Sequence, residues 1–314
     1  MAMDDANAGA GTALDTYKRY MNDGYKKPLG FTSLPLSTSP YLNDPILVEH
    51  VARQTLRRNG TDLPPTWNYP VMAAAVEAAQ DQERINFLFV EARRSWPELD
   101  QWLSERYLSR WKKADLAECA PGTLGHTVFE HFDEYGLENV MSSTAFPCDN
   151  DFQYFHRRRT EIHDFMHVLS GAGFDYIGEF LVNMVNYGSF YKYFDPELAK
   201  ETLVKNSINT FPHLCRASIH YPMGFPYIWD HMTRGVEIGR QSGPWFLKRI
   251  EDYIHYPLDE AREALEIRGA VDPDLAETRR QSDHIMEGGQ TKMQETALAR
   301  KKMMGEQIPP VAAE

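Results

Sequence analysis

Two histidines four residues apart, His163 and His167, with Asp164 between them, form a pattern suited to holding a metal ion. Positions i and i+4 of an α-helix share a face, so both imidazoles can reach one cation. Asp164 brings a hard oxygen, either as a further ligand or as an acceptor that fixes a histidine tautomer. Glu179 follows His167 after eleven intervening residues. On an unbroken helix it would sit about 18 Å along the axis, whereas ligands of one ion lie roughly 3 Å apart. Gly171-Ala172-Gly173 lets the helix end and the chain turn, because glycine takes left-handed conformations at little cost. Glu179 is therefore expected on a second helix that returns to face the histidine pair.

Two imidazoles and a carboxylate leave coordination positions open for water or substrate, unlike the closed thiolate sets of structural zinc. The set suits Zn, Fe, Mn or Co, and donor softness does not choose among these divalent ions. The Asp164 carboxylate is too short to serve as the general base that glutamate provides in HExxH proteases. Arg159, one helical turn before His163, could hold a substrate carboxylate beside the metal. Phe174, Tyr176, Phe180, Met184, Tyr187, Phe190 and Tyr191 supply aromatic and apolar surface around the returning helix, enough for a greasy tunnel. Each feature has a plainer reading: core histidines bonded to carbonyls, an ion-pair cluster at Arg157-Arg158-Arg159, and aromatic residues that merely fill a core.

The elements that must position these residues read as helices. Asn43-Asp44-Pro45 starts one that ends near Gly60, and Pro64-Pro65 bounds a loop. Val71 to about Ser95 reads as one long helix, and Pro97 begins another. Gly122-Thr123 opens a helix closed by Gly136. Asp149 or Asp151 is expected to cap a helix that runs through the metal motif to Leu169. Glu179 to Phe194 is the returning helix, and Asp195-Pro196 starts the next, to about Asn209. A Pro- and aromatic-rich loop follows, then helices over about 227–241 and 244–267. The expectation is an all-α, multi-helix single domain with a metal site between two helices. Its parts are a weakly ordered N-terminal segment over 1–42, a helical domain over 43–270, and a charged tail over 271–314. For the tail, disorder is favoured over a docking helix.

A net charge of −12 argues against nucleic acid, whose phosphates need a basic surface. Cys119, Cys148 and Cys215 are odd in number and widely spaced, which fits a reducing compartment rather than a disulfide framework. No stretch reaches the roughly 18 apolar residues of a membrane span, and the N-terminus lacks leader character. The expected location is the bacterial cytoplasm, with peripheral contact at the inner membrane left open. A homo-oligomer is expected.

The quartet His163, Asp164, His167 and Glu179, in the spacing HDxxH, eleven residues, Glu, resembles the coenzyme Q (ubiquinone) biosynthesis family known as Coq-four. Ala120-Pro121-Gly122-Thr123-Leu124-Gly125, Gly178-Glu179, Gly239-Arg240 and Pro257-Leu258-Asp259-Glu260-Ala261-Arg262 are similar to its other segments, so the resemblance covers about residues 75–268. Thr160 stands where the family often has arginine. The resemblance implies an all-helical peripheral membrane protein with a divalent metal and a prenyl-lipid pocket. It also implies partnership with other ubiquinone biosynthesis enzymes. The implied reaction removes the C1 carboxylate of a polyprenyl-hydroxybenzoate precursor with oxidative replacement by hydroxyl. Three alternatives stand beside it: a non-catalytic prenyl-lipid-binding scaffold for those enzymes, a metallohydrolase, and a paralogue acting on another phenolic compound.

Overall fold

Asp44 accepts hydrogen bonds from the Ile46 and Leu47 amides at 2.9 and 3.1 Å, and Pro45 stands where its missing N–H costs nothing. The first helix therefore begins where the sequence places it. The computed structural model describes residues 37–59, 69–137, 147–272 and 275–304. In chain order the helices are α1 (Pro45–Leu56), α2 (Tyr69–Ala79), α3 (Gln82–Ser95), α4 (Pro97–Glu105), α5 (Lys113–Ala117), α6 (Leu124–Tyr135) and α7 (Asp151–Glu161). They continue as α8 (His163–Ser170), α9 (Tyr176–Tyr193), α10 (Pro196–His220), α11 (Phe225–Gln241), α12 (Leu258–Ala264), α13 (Leu275–Ile285) and α14 (Gly289–Met304). The architecture is all-α, with no strand among the described residues. No described helix is long and apolar enough to cross a membrane. The readings of residues 1–36, Gly60 and Pro64-Pro65 lie outside the described residues.

The centre is aromatic. Phe89, Phe155, Phe190 and Phe246 are fully or almost fully buried, and Phe190 packs edge-on to Phe155 and Phe246 with centroids 5.3 and 5.1 Å away. Against this cluster α9 crosses α11 backbone to backbone. A Cβ on Gly188 would meet the Val236 carbonyl oxygen at 2.3 Å, and one on Gly239 would meet the Val185 carbonyl oxygen at 2.3 Å. Only glycine permits that approach.

Several elements depart from the sequence reading, each for a local reason. The expected long helix over 71–95 is two helices, because Asp81 leaves the helical conformation and caps α3 by accepting from the Arg84 amide at 2.9 Å. The cap of α7 is Asn150, which accepts from the Gln153 amide at 2.9 Å, rather than Asp149 or Asp151. The helix expected to run unbroken through the metal motif is interrupted at Ile162 (φ −102°, ψ 2°). α10 passes through Pro212 and continues to His220, where a loop was expected; packing of its buried faces outweighs the single amide that proline removes. Residues 244–267 form two short 3₁₀ turns, Trp245–Leu247 and Ile250–Tyr253, followed by α12, instead of one helix. Within the expected tail Leu275–Ile285 and Gly289–Met304 are helical, and Ser282 and Ile285 of α13 are completely buried.

Candidate metal centre

The turn between α8 and α9 decides where the ligand candidates meet. Gly171 takes a left-handed conformation (φ 72°), and the Ala172 amide donates back to the His167 carbonyl at 2.8 Å, which ends α8. Asp175 then starts α9 by accepting from the Gly178 amide at 2.9 Å. The two helices double back, and the donor atoms of His163, His167 and Glu179 come within 4.8 Å of one another. The His163 and His167 Nε2 atoms are 3.3 Å apart. Each imidazole also faces its own carboxylate oxygen, Oε2 of Glu179 at 3.4 Å from His163 and Oε1 at 3.4 Å from His167. Ligands bound at 2.0–2.1 Å around a tetrahedral ion lie about 3.4 Å apart, so these spacings fit a small divalent cation with one vertex open.

Tautomer chemistry gives an independent test of fit. His167 Nδ1 lies 2.8 Å from the Gly173 carbonyl oxygen, which can only accept, so Nδ1 carries the hydrogen. In the neutral ring the Nε2 lone pair then points at His163 and at a carboxylate. Lone pair against carboxylate is repulsive unless a proton or a cation lies between them. The donor set, two imidazoles and one carboxylate, is the kind that binds divalent metals with room for substrate. His167 is 1% exposed, while the Glu179 side chain is 49% exposed, so the group opens to solvent on the glutamate side.

Charge follows the same geometry. Burial works to lower the pKa of His163, but the Glu179 charge and hydrogen bond outweigh it and raise it to about 9. Burial works to raise Glu179, and the two imidazoles instead hold it well below the ordinary carboxylate range. Asp164 is pushed up by burial, partly offset by both imidazoles. Its oxygens stay outside the converging group, so the structure brings together three of the four expected donors.

Arg159 sits on α7, across the Ile162 break, yet near enough for its charge to oppose protonation of His163. Its guanidinium donates to the Thr202 carbonyl at 2.9 Å and to Asn206 Oδ1 at 3.1 Å, and lies 5.0 Å over the Phe190 ring. These partners are neutral, and its buried Nε has no acceptor among the described residues. Burial lowers its pKa to about 10, against the pull of Tyr69 and Tyr187. Asn206 also donates to Asn183 Oδ1, and Asn183 Nδ2 donates to the Glu179 carbonyl at 2.8 Å. This amide relay and Tyr69 carry no motif, and nothing in the sequence singles them out.

The expected aromatic lining divides. Tyr176, Phe180 and Met184 are buried in a core with α10 and α11, and Phe190 belongs to the main core. Tyr187, half-buried with its hydroxyl 2.5 Å from Ser207 Oγ, and Tyr191, exposed, lie along the same side of α9 as Glu179 and Asn183, with Phe211 beside Tyr187 at 5.6 Å. A cleft of about 600 Å³ lies elsewhere, lined by Leu88, Trp96, Tyr193 and Phe194. Tyr193 is fourteen residues beyond Glu179 on α9, about 21 Å along the axis, so that cleft is not the metal pocket.

Residues 103–191, which include every ligand candidate and Arg159, match the family described as Coenzyme Q (ubiquinone) biosynthesis protein Coq4. The site-bearing segment is thus similar to that family. The fold is similar to a crystal structure from Nostoc punctiforme of a protein provisionally assigned to ubiquinone biosynthesis. That similarity has a TM-score of 0.53 at 19% identity, over 74% of this chain and 100% of the other. No curated protein matches the chain.

Proposed function

We propose that the protein is a metal-dependent enzyme of ubiquinone biosynthesis acting on a polyprenyl-hydroxybenzoate precursor, in which the C1 carboxylate leaves as CO2, one atom of dioxygen becomes the hydroxyl at that carbon, and the other leaves as water on reduction by an external two-electron donor. The supporting observation is the convergence of His163, His167 and Glu179 with the His167 lone pair aimed into the group. A divalent ion bound there supplies Lewis acidity to a substrate oxygen. Arg159, half-buried and bonded to neutral partners among the described residues, offers its charge to the substrate carboxylate. Tyr187, Tyr191 and Phe211 offer an apolar path for the prenyl chain away from Glu179. Other enzymes of the same biosynthesis are the proposed partners, because substrate and product are both lipids that must be handed on.

The test is direct. His163→Ala and Glu179→Gln are expected to lose bound metal and to fail to restore quinone production in a strain lacking the activity. Restored quinone production by metal-free variants would remove catalysis by the site. In that case the exposed aromatic side of α9 supports the second reading, a prenyl-lipid-binding scaffold. An anaerobic assay separates the oxidative reaction from a metallohydrolase, which needs only water.

A further inference from the structure

We infer that Arg262 and Ser282, on α12 and α13, form a positioning device that sets the ligand-bearing helices α8 and α9 against each other. The inference rests on reading His163, His167 and Glu179 as a metal cluster, and it concerns residues that contribute no ligand. Ser282 and Arg262 both lie outside the segment that matches the family.

The last carbonyls of a helix have no partner within it. At the end of α8, Arg262 supplies two donors: Nε to the Leu169 carbonyl at 3.0 Å and a terminal nitrogen to the Val168 carbonyl at 3.0 Å. Its positive charge also suits the negative end of that helix. Asp272 pairs with the same guanidinium at 2.9 and 2.5 Å, so the fork is held from both sides. At the start of α9 the opposite problem arises, unpaired amides, and Ser282 of α13 answers it. Its hydroxyl accepts from the Ile177 amide at 3.1 Å and donates to Asp175 Oδ1 at 2.8 Å, the same oxygen that caps α9. Ser282 is fully buried, so no water can stand in for it at that position. Between these two anchors, the backbone at Val271 lies against Gly171, where an added Cβ would meet the Val271 carbonyl oxygen at 2.1 Å.

Two C-terminal side chains, Arg262 and Ser282, thus bond the backbone at the end of α8 and at the start of α9. Those two ends fix where Glu179 falls relative to His167. Donor spacing must be held to a few tenths of an ångström for metal affinity, and groups that orient ligands without touching the ion commonly change affinity 10–100-fold. Arg262 and Ser282 are positioning residues of this kind.

The test is a cobalt(II) titration of the full chain, read by visible absorption and by chelator competition. Ser282→Ala and Arg262→Gln are compared with Ile85→Val, a mild core variant on α3. The expected result is affinity about tenfold weaker, with a changed absorption band, in Ser282→Ala and Arg262→Gln. Ile85→Val should keep wild-type affinity and spectrum at a similar loss of melting temperature. Wild-type affinity in both Ser282→Ala and Arg262→Gln overturns the positioning role, as does equal weakening in Ile85→Val. A wild-type chain that binds no cobalt overturns the metal reading itself, and the positioning role with it.

Discussion

The ring of Phe174 packs against that of His167 with centroids 4.6 Å apart and an interplanar angle of 30°, and Phe174 also stacks on His131 at 4.4 Å. The residue that follows the tautomer-setting Gly173 therefore also fixes the plane of the imidazole. Hydrogen bond and stacking together leave His167 one orientation, with Nε2 toward Glu179.

Replacing Phe174 by alanine should loosen that orientation while leaving every donor in place. Stacking of this kind contributes about 0.5–1.5 kcal/mol beyond area burial, and loss of a large aromatic side chain costs about 3 kcal/mol or somewhat less where it is half-buried. Phe174→Ala should thus bind metal several-fold more weakly and unfold at lower denaturant. Unchanged metal affinity at reduced stability would show that the ring only packs.

Asp164 gives a sharper contrast with the histidines. Its oxygens lie outside the converging group, although both imidazole charges reach it. Metal analysis of purified Asp164→Asn should show the wild-type metal content, whereas His167→Ala should lose it. Loss of metal in Asp164→Asn would make Asp164 a ligand and require the start of α8 to rearrange.

Much of this was legible in the residues. The i, i+4 histidines, the glycine break and the returning Glu179 all follow from helix geometry, and the structure brings these three donors together. The break at Ile162 was not legible, because an apolar residue between two helix-forming runs carries no stop signal. The single long helix over 71–95 failed on one residue, Asp81, whose capping competes with helix continuation and wins only in tertiary context. Proline 212 misled in the opposite direction, since packing on both sides of α10 overrides a local breaker. The role of α13 was hidden for a related reason. Ser282 anchors it through two polar contacts, and a hydrophobic pattern does not show those.

Arg159 tests the trade between stability and function. A guanidinium buried among neutral partners is costly, and its removal can be neutral or stabilising. Arg159→Gln should change unfolding free energy by no more than about 1 kcal/mol while weakening binding of 4-hydroxybenzoate, a soluble head-group probe, by roughly tenfold or more. Equal probe binding in calorimetry would remove Arg159 from the substrate site.

At Gly171 backbone and packing act together. The left-handed conformation disfavours any side chain, and a Cβ would press on the Val271 carbonyl. Gly171→Ala should cost about 2 kcal/mol or more in chemical denaturation. A loss below about 1 kcal/mol would mean that the Val271 backbone yields easily.

Acid should destabilise the interface of α1 with α10. His213 is buried, with its Nδ1 3.2 Å from the Tyr176 hydroxyl, and Arg216 and His50 are the charged and titratable neighbours on α10 and α1. Burial first, then Arg216 and His50, lower its pKa to about 3. A base whose folded pKa is depressed is neutral in the native state and protonates more readily on unfolding. Its contribution is therefore complete above about pH 6.5 and is lost as pH falls from there toward 3. Between pH 7 and pH 5 one such histidine removes about 2 kcal/mol of stability. His163, raised in the absence of metal, acts with the opposite sign, so the quantity to measure is a difference. Denaturant unfolding of His213→Gln should lose about 2 kcal/mol less than wild type over that interval. Parallel pH dependences in the two proteins would mean that His213 is already protonated, or solvated, in the folded chain.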